Sequence, residues 1–174
     1  MQKTVLVTGC SSGIGLESAL DLTRQGFRVL AACRKAEDIA RMQDLGLTGI
    51  LLDLDDPQSV ERAAAEVIAL TDNRLYGLFN NAGYGVYGPL NTISRQQMEQ
   101  QFSANFFGAH QLTMLLLPAM TPHGEGRIEF DSALHHDRTV VVREQRHLRQ
   151  LDLRADSVAE SHVRQRLGHT AEPD

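Results

Sequence analysis

The chain is poor in the residues that mark several classes of protein. It has no tryptophan, two cysteines and few aromatic residues, and no apolar run reaches the length of a membrane span. Two cysteines cannot build a disulfide framework and indicate reduced thiols. No basic segment followed by an apolar stretch opens the chain, so no secretory signal peptide is expected. These absences predict a cytoplasmic protein without a membrane span.

The charge balance narrows the classes of binding partner, and the length indicates the number of domains. A net charge of -5 and a pI near 5.8 provide no positive surface for nucleic acid or for an anionic membrane. Small polar or apolar molecules are therefore the expected partners. A chain of 174 residues can bury the core of one domain, and it shows no internal repeat.

Lysine is the scarcest charged residue. The chain contains only Lys3 and Lys35, and its tyrosines are Tyr76, Tyr84 and Tyr87. No tyrosine therefore precedes a lysine by four positions. An adjacent ammonium is the usual means of lowering the pKa of a phenol so that it can transfer a proton near neutral pH. The sequence excludes a tyrosine and lysine pair at that spacing.

Apolar runs of strand length alternate with segments of helical period, the pattern of a parallel sheet with crossover helices. Strands are predicted at 4–8, 27–33, 48–53, 75–80 and from 126 onward, and helices at 13–25, 37–45, from 57 onward and from 95 to about 120. The expected fold is a doubly wound, Rossmann-like α/β domain of three layers. It is expected to be incomplete on its C-terminal side.

Local signals place the helix ends. Gly26 and Gly46 are expected to stop the first two helices, because glycine tolerates the left-handed backbone of a helix C-terminus. Asp56, which is followed by proline, provides an N-cap for the third helix. Ser94 and Gln97 form a capping box for the fourth. That long helix is expected to be ended by Pro118, Pro122 and Gly124.

A glycine-rich turn follows the first predicted strand. Gly9 permits a tight turn, Gly13 lets backbone approach a pyrophosphate, and Gly15 allows a helix to pack closely on the sheet. Ser11 and Ser12 add hydroxyl donors where the helix N-terminus would face the phosphates. A purely structural turn is the alternative, since a glycine pattern alone is a weak signal.

Four segments in order resemble the motifs of the classical short-chain dehydrogenase/reductase family. They are Thr8-Gly9-Cys10-Ser11-Ser12-Gly13-Ile14-Gly15, Asp53-Leu54, Asn80-Asn81-Ala82-Gly83 and Ser103-Ala104-Asn105-Phe106-Phe107-Gly108. The resemblance extends to Ile128. It is strongest to reductases of retinoids, hydroxysteroids and hydrophobic aldehydes or ketones. It implies an NAD(P)-dependent oxidoreductase that interconverts carbonyls and alcohols on a small hydrophobic substrate.

The resemblance implies a set of cofactor-binding residues. They are Gly9, Ser11, Ser12, Gly13, Ile14, Gly15, Arg34, Asp53, Leu54, Asn81, Ala82 and Gly83. Arg34 follows Cys33, which stands where NAD-dependent relatives carry an acidic residue, and a guanidinium can bind a 2′-phosphate bidentately. NADP is therefore favoured over NAD, with a solvated loop as the alternative. Asp53, likened to an adenine-contacting carboxylate, is alternatively a turn cap. The segment 81–83, placed against the ribose, is alternatively architectural.

Asn105 resembles the catalytic asparagine of the family, which bends its helix and holds a water on the proton path. The alternative is a helix perturbation by a side chain that bonds the backbone. The Ser, Tyr and Lys partners of that asparagine are missing, because the family's serine position holds Ala133 and Ser132 lies one residue short. The chain is therefore expected to be inactive as it stands, and whether it is an enzyme is left open.

The composition changes after Ile128. From 129 to 174 there is no lysine, one glycine and one aromatic residue, and five of the seven histidines fall there. Glu129 and Asp131 place carboxylates in an expected buried strand, which is costly unless they are neutralised. We divide the chain into an incomplete NADP-binding domain at 1–128 and an atypical tail. Because domain boundaries normally lie in linkers, a change inside a strand favours a frame-shifted or truncated product.

The tail itself carries few structural signals. Val140, Val141 and Val142 could pair as a strand, and 156–167 predicts a short amphipathic helix. No metal site is expected, because the tail histidines lack cysteine partners and a fixed His-x-x-x-His spacing. These histidines are His135, His136, His147, His162 and His169.

Three functional hypotheses remain open: an NADP-dependent reductase, a non-catalytic dinucleotide-binding module, and a non-functional frame-shifted fragment. A homo-oligomer is compatible with the resemblance, but its interface would be incomplete. Without the later strands and helix of a complete relative, part of the long helix is expected to be exposed and to cause aggregation. The exposed face would carry Leu112, Leu115, Leu116 and Met120.

Overall fold

Five parallel strands and one antiparallel strand form a sheet in the computed structural model, which describes residues 2–121, 126–131 and 138–142. The strands are β1 (Thr4–Thr8), β2 (Arg28–Cys33), β3 (Thr48–Leu51), β4 (Gly77–Asn80), β5 (Gly126–Phe130) and β6 (Arg138–Val142). Their order is β3-β2-β1-β4-β5-β6, so the strand order reverses beside β1. The predicted doubly wound parallel sheet is confirmed.

Helices cover both faces of the sheet. They are α1 (Gly13–Arg24), α2 (Ala36–Asp44), α3 (Pro57–Leu70), α4 (Arg95–Phe102) and α5 (Ala109–Met120), with a π-helical turn (Ser103–Gly108) between the last two. Val7 of β1 lies in one core cluster with Ala19 of α1 and Met42 of α2. Its neighbour Leu6 lies in the opposite cluster with Leu116 of α5. Successive side chains of β1 thus point to opposite faces of the sheet. Helices cover each face, which gives the three predicted layers.

The helix ends predicted at Gly26 and Gly46 and the helix starts predicted at Asp56 and Ser94 are confirmed. Gly26 and Gly46 have φ of 89° and 77°, the left-handed backbone that follows a helix. The Asp56 carboxylate accepts the Gln58 backbone N–H at 2.9 Å and caps α3. Ser94 forms the predicted capping box at the start of α4.

The long helix differs from its prediction in how it is built and in the role of Pro118. α4 passes into the π-helical turn and then into α5, which ends at Met120 as expected. Pro118 lies inside α5 and does not end it. Proline removes one helical hydrogen bond, but the fully buried Met120 holds the last turn against the core. Pro122 and Gly124 lie outside the described residues.

The expectation that the apolar face of α5 is exposed is wrong for three of its four residues. Leu112, Leu116 and Met120 are fully buried, because they pack in the cluster that also holds α3 and the adjacent sheet face. Leu115 alone of the expected residues is exposed, at 37%. The other exposed apolar residues of α4, the π-helical turn and α5 are Met98, Phe102, Phe106, Phe107 and Met114.

The sheet extends past β4. β5 pairs with β4 in parallel and with β6 in antiparallel fashion, so strands are confirmed from Gly126 and around the three tail valines. Glu129 and Asp131 are exposed rather than buried, so the expected cost of burying their carboxylates does not arise here. Ser132, Ala133, the tail histidines and the predicted helix at 156–167 lie outside the described residues. Within the described ranges, no helix is long and apolar enough to cross a membrane.

Candidate functional site

The turn between β1 and α1 has the backbone that its glycines predict. Gly9 and Gly13 have φ of 73° and 60°, a region that favours glycine. A Cβ at Gly9 would lie 2.9 Å from the Ala82 Cα, and a Cβ at Gly15 would lie 2.9 Å from the Gly9 carbonyl carbon. Nothing lies within 4 Å of a Cβ at Gly13. The turn is packed tightly at two glycines and open at the third, so it fits a pyrophosphate.

The start of α1 keeps polar groups that the helix does not use. Ser12 occupies the N-cap position with extended backbone, and its side chain makes no capping hydrogen bond. Ile14 in the first turn is 62% exposed, although it is apolar. The exposed side chains and first backbone N–H groups of α1 are suited to an anionic ligand at the helix N-terminus.

Thr8 joins the glycine turn to the segment after β4. Its hydroxyl accepts the backbone N–H groups of Asn81 at 3.0 Å and Ala82 at 2.9 Å, and donates to the Phe79 carbonyl at 3.3 Å. The Asn81 side chain donates in return to the carbonyl oxygens of Thr8 at 2.8 Å and Gly9 at 3.4 Å. We call Thr8, Asn81 and Ala82 the Thr8 latch. The latch fixes the ends of two neighbouring strands as one unit.

Asn105 lies in the π-helical turn and binds the loop that follows the latch. Its Oδ1 accepts the Tyr84 backbone N–H at 3.0 Å, and its Nδ2 donates to the Tyr84 carbonyl at 2.7 Å. A Cβ at Gly83 would lie 3.2 Å from that Oδ1. The side chain therefore bonds a neighbouring loop rather than its own helix, and π-helical turns often occur at functional sites.

The turn after β2 carries the predicted phosphate-binding cation. Arg34 is exposed, and its side chain makes no hydrogen bond or ion pair with the residues that the structure describes. The next residue, Lys35, is paired with Glu37, with 3.4 Å between Nζ and Oε1. Arg34 is thus the more available cation of the two.

A further guanidinium reaches the same edge from α2. Arg41 donates to the Ser11 carbonyl in the glycine turn, and its Nη2 lies 3.9 Å from Asp38 Oδ1. Long helical side chains lean toward the helix N-terminus, which brings Arg41 back over the first turn of α2. The cationic groups beside the glycine turn therefore come from α2 as well as from the loop before it.

Asp53 acts as a turn cap in the structure. Its Oδ1 accepts the Asp55 backbone N–H at 3.0 Å, and its own N–H donates to the Ser59 hydroxyl at 3.0 Å. Leu54 is buried, and a Cβ at Gly108 would lie 2.8 Å from the Leu54 Cβ. One carboxylate oxygen of Asp53 is thus used in the turn, while Leu54 packs against the π-helical turn.

The two thiols are buried beneath the glycine turn. The Cys10 Sγ donates to the Val7 carbonyl at 3.2 Å. Burial and, to a smaller extent, the neighbouring Cys33 raise the pKa of the Cys10 thiol to about 12, although the Ala32 backbone acts to lower it. Burial also raises the pKa of Cys33. Both thiols stay protonated near neutral pH, which disfavours a nucleophilic role. The described residues contain no group of three or more potential metal ligands.

Several contacts of this site were not identified from the sequence. The hydroxyl of Thr8, the backbone of Tyr84 and the guanidinium of Arg41 each bind a predicted site residue. A threonine directly before the glycine turn was a usable signal for the latch. The position of Arg41 three residues after Asp38 predicts a local ion pair. Nothing in the sequence indicates that it reaches the glycine turn.

The site lies within the part of the chain that matches a known family. The model of the family described as short chain dehydrogenase matches residues 3–135. The chain belongs to the short-chain dehydrogenase family. The matched range includes the glycine turn, the Thr8 latch and the π-helical turn of this short-chain dehydrogenase chain.

Curated proteins and solved structures are similar to this chain over part of their length. Uncharacterized oxidoreductase YbbO of Escherichia coli (strain K12) is 75% identical over 134 residues, which are 77% of this chain and 50% of YbbO. Retinol dehydrogenase 5 of Homo sapiens is 40% identical over 129 residues, covering 71% of this chain and 40% of that protein. A solved metagenomic short-chain oxidoreductase in complex with NADP has a TM-score of 0.68 at 28% identity, covering 76% of this chain and 63% of that one. The chain spans about half the length of these curated relatives.

Proposed function

We propose that this chain is the dinucleotide-binding half of an NADP-dependent short-chain oxidoreductase, and that as it stands it binds the cofactor without turning it over. The observation that carries the proposal is the Thr8 latch, which holds the glycine turn against Asn81 and Ala82. The space beside Gly13 stays open. A turn fixed in this way binds a pyrophosphate with little further ordering, which favours affinity. We also propose a cytoplasmic location.

Each proposed contact belongs to a residue of this chain. The glycine turn, with Ser11, Ser12 and Ile14, would hold the pyrophosphate, and Arg34 would bind a 2′-phosphate. The adenine would lie by Asp53 and Leu54. The ribose would lie by the segment from Asn81 through Ala82 to Gly83. The bound nicotinamide supplies or accepts a hydride in this family.

The chain holds only some of the family's catalytic residues. Asn105 is present and orders the loop at Tyr84. The sequence has no tyrosine and lysine pair at the family spacing, so the family's proton donor and the ammonium that activates it are both missing. A non-catalytic dinucleotide-binding module is therefore the second candidate. The name of Retinol dehydrogenase 5 supports a small hydrophobic alcohol or carbonyl as the substrate of a complete protein.

A binding and turnover experiment tests this proposal. We expect NADPH titrated into the full chain to bind weakly, detected by a change in the fluorescence of the nicotinamide, with no oxidation in the presence of hydrophobic aldehydes or ketones. The variant Arg34→Asp should bind NADPH more weakly and shift relative preference toward NADH, because a carboxylate repels the 2′-phosphate. Arg74→Asp, on the surface after α3, is a control for the change of charge. Turnover would disprove inactivity, and an unchanged preference would remove Arg34 from the site.

We also propose that the residues from Glu129 onward are read in another frame. The proposal rests on the loss of lysine and the near loss of glycine and aromatic residues after Ile128. Reading the coding DNA in its other two frames beyond the Ile128 codon tests it. A Ser-Ser followed by a Tyr-x-x-x-Lys in either frame is the expected result. Their absence would leave a divergent binding module as the better account.

A further inference from the structure

Arg41 contacts the glycine turn although it is far from it in the sequence. Its guanidinium donates to the Ser11 carbonyl, and the two residues are 30 positions apart. The link joins α2 to the loop proposed to hold the pyrophosphate, so Arg41 stands beside the cofactor site rather than on a remote helix surface.

The electrostatic partners of Arg41 leave part of its bonding capacity unused. Its Nη2 lies 3.9 Å from Asp38 Oδ1, a loose ion pair, and its side chain is 48% exposed. A guanidinium carries five N–H donors, and the hydrogen bond to the Ser11 carbonyl leaves most of them unused. The remaining donors can bind an anion with the planar fork that suits phosphate oxygens.

Asp38 and Arg41 both lie close to Cys33, at the end of β2. Burial is the main cause of the raised pKa of Cys33, while Asp38 raises it further and Arg41 lowers it. Cys33 directly precedes Arg34, whose side chain has no hydrogen-bond or ion-pair partner within the described ranges. Arg34 and Arg41 therefore approach the same edge of the sheet from the β2 loop and from α2.

We propose that Arg41 is a second specificity-determining cation for the 2′-phosphate, and that Asp38 opposes it by partly neutralising its charge. This inference rests on the proposed function, because it concerns the cofactor of that site. In the absence of phosphate, Asp38 and the Ser11 carbonyl hold the guanidinium against the glycine turn. A bound 2′-phosphate takes up the remaining donors of Arg41 and competes with Asp38 for its charge.

The opposite assignment makes a different prediction. Acidic residues at this edge of the fold select NAD by accepting the ribose 2′-hydroxyl. If Asp38 had that role, its removal would weaken NADH binding and Arg41 would serve only to position it. Our proposal requires that the removal of Asp38 strengthen NADPH binding, because the competing carboxylate is lost.

Binding measurements on single variants of the full chain separate these assignments. The variants are Arg41→Gln and Asp38→Asn, and the matched control is Arg24→Gln, an exposed arginine of α1 paired with Asp21 at 3.3 Å. Each is titrated with NADPH and with NADH by calorimetry, and its fold is checked by urea unfolding. The readout is the ratio of the two dissociation constants, which does not depend on catalysis.

The expected pattern has opposite signs at the two positions. Arg41→Gln should weaken NADPH binding about tenfold, as for the loss of one charge-assisted hydrogen bond, and should leave NADH nearly unchanged. Asp38→Asn should tighten NADPH binding, and Arg24→Gln should change neither ligand. Equal loss of both ligands in Arg41→Gln, or weaker NADH binding in Asp38→Asn, would overturn the inference alone. Failure of the unaltered chain to bind either dinucleotide would overturn the proposed function and this inference with it.

Discussion

Thr8 shows how one side chain can determine the geometry of a binding turn. Its hydroxyl is the shared acceptor for two consecutive N–H groups, those of Asn81 and Ala82, at the end of β4. Without this acceptor, the Ala82 N–H would lose its partner in a partly buried place, and the Asn81 N–H would keep only the Phe79 carbonyl at 3.1 Å. Unpartnered buried N–H groups cost about 1–3 kcal/mol each, so the hydroxyl matters far more than the methyl group beside it.

The variant Thr8→Val tests this role at the residue scale. It keeps the shape of the side chain and removes the hydroxyl, which leaves the Ala82 N–H without an acceptor, so we expect the free energy of unfolding to fall by about 2 kcal/mol. Urea unfolding measures the change. The control Thr8→Ser keeps the hydroxyl and loses only a methyl group, which should cost about 1 kcal/mol. Equal losses in the two variants would show that packing, not the latch, explains the effect.

At the scale of elements, the path from α4 through the π-helical turn to α5 positions Asn105. The same turn ends at Gly108, which lies against the connection after β3. A Cβ at Gly108 would lie 2.8 Å from the Leu54 Cβ and closer still to the Leu54 carbonyl oxygen. The absence of a side chain at this position thus allows α5 to approach the core closely.

The variant Gly108→Ala separates helix propensity from this close approach. Alanine favours a helix over glycine by about 1 kcal/mol, so a stabilised variant would mean that the contact is unimportant. We expect a loss of about 1–3 kcal/mol in the free energy of unfolding instead, because backbone must move to admit the methyl group. Urea unfolding again gives the value. Gln100→Ala on the exposed surface of α4 is the control and should change stability little.

At the scale of the whole molecule, an aromatic surface remains uncovered. Four apolar side chains of α4, the π-helical turn and α5 are each more than half exposed: Phe102, Phe106, Phe107 and Met114. The ring centroids of Phe106 and Phe107 lie 5.4 Å apart, so these rings form a continuous patch. Exposed apolar patches on this scale mark interaction surfaces or cause aggregation.

We expect this surface to make the chain self-associate as its concentration rises. Size-exclusion chromatography with light scattering should give a mass above 19.3 kDa for the unaltered chain at high concentration. The double variant Phe106→Glu with Phe107→Glu should return the mass to that of one chain, because charges oppose burial of the patch. The control Tyr87→Glu changes an aromatic residue that is 94% exposed on another loop. A monomeric unaltered chain at every concentration would contradict the expectation.

Local sequence signals are enough to predict the order of the elements and most of the helix ends. Gly26, Gly46 and Asp56 act locally, through backbone freedom or through a hydrogen bond to a residue two positions away. Such signals are complete within a few residues of sequence, so they can be read without knowing the fold. The glycine turn after β1 and the missing tyrosine and lysine pair are local in the same sense.

Which distant groups meet depends on tertiary packing. The Thr8 latch joins residues more than seventy positions apart, at |i−j| of 73 and 74. Arg41 reaches the glycine turn because α2 packs beside β2, and α5 buries Leu112 because α3 lies on the same face of the sheet. These contacts depend on the strand order, which brings β1 between β2 and β4. Local patterns specify each segment, whereas long-range packing and hydrogen bonding fix how their side chains combine into a site.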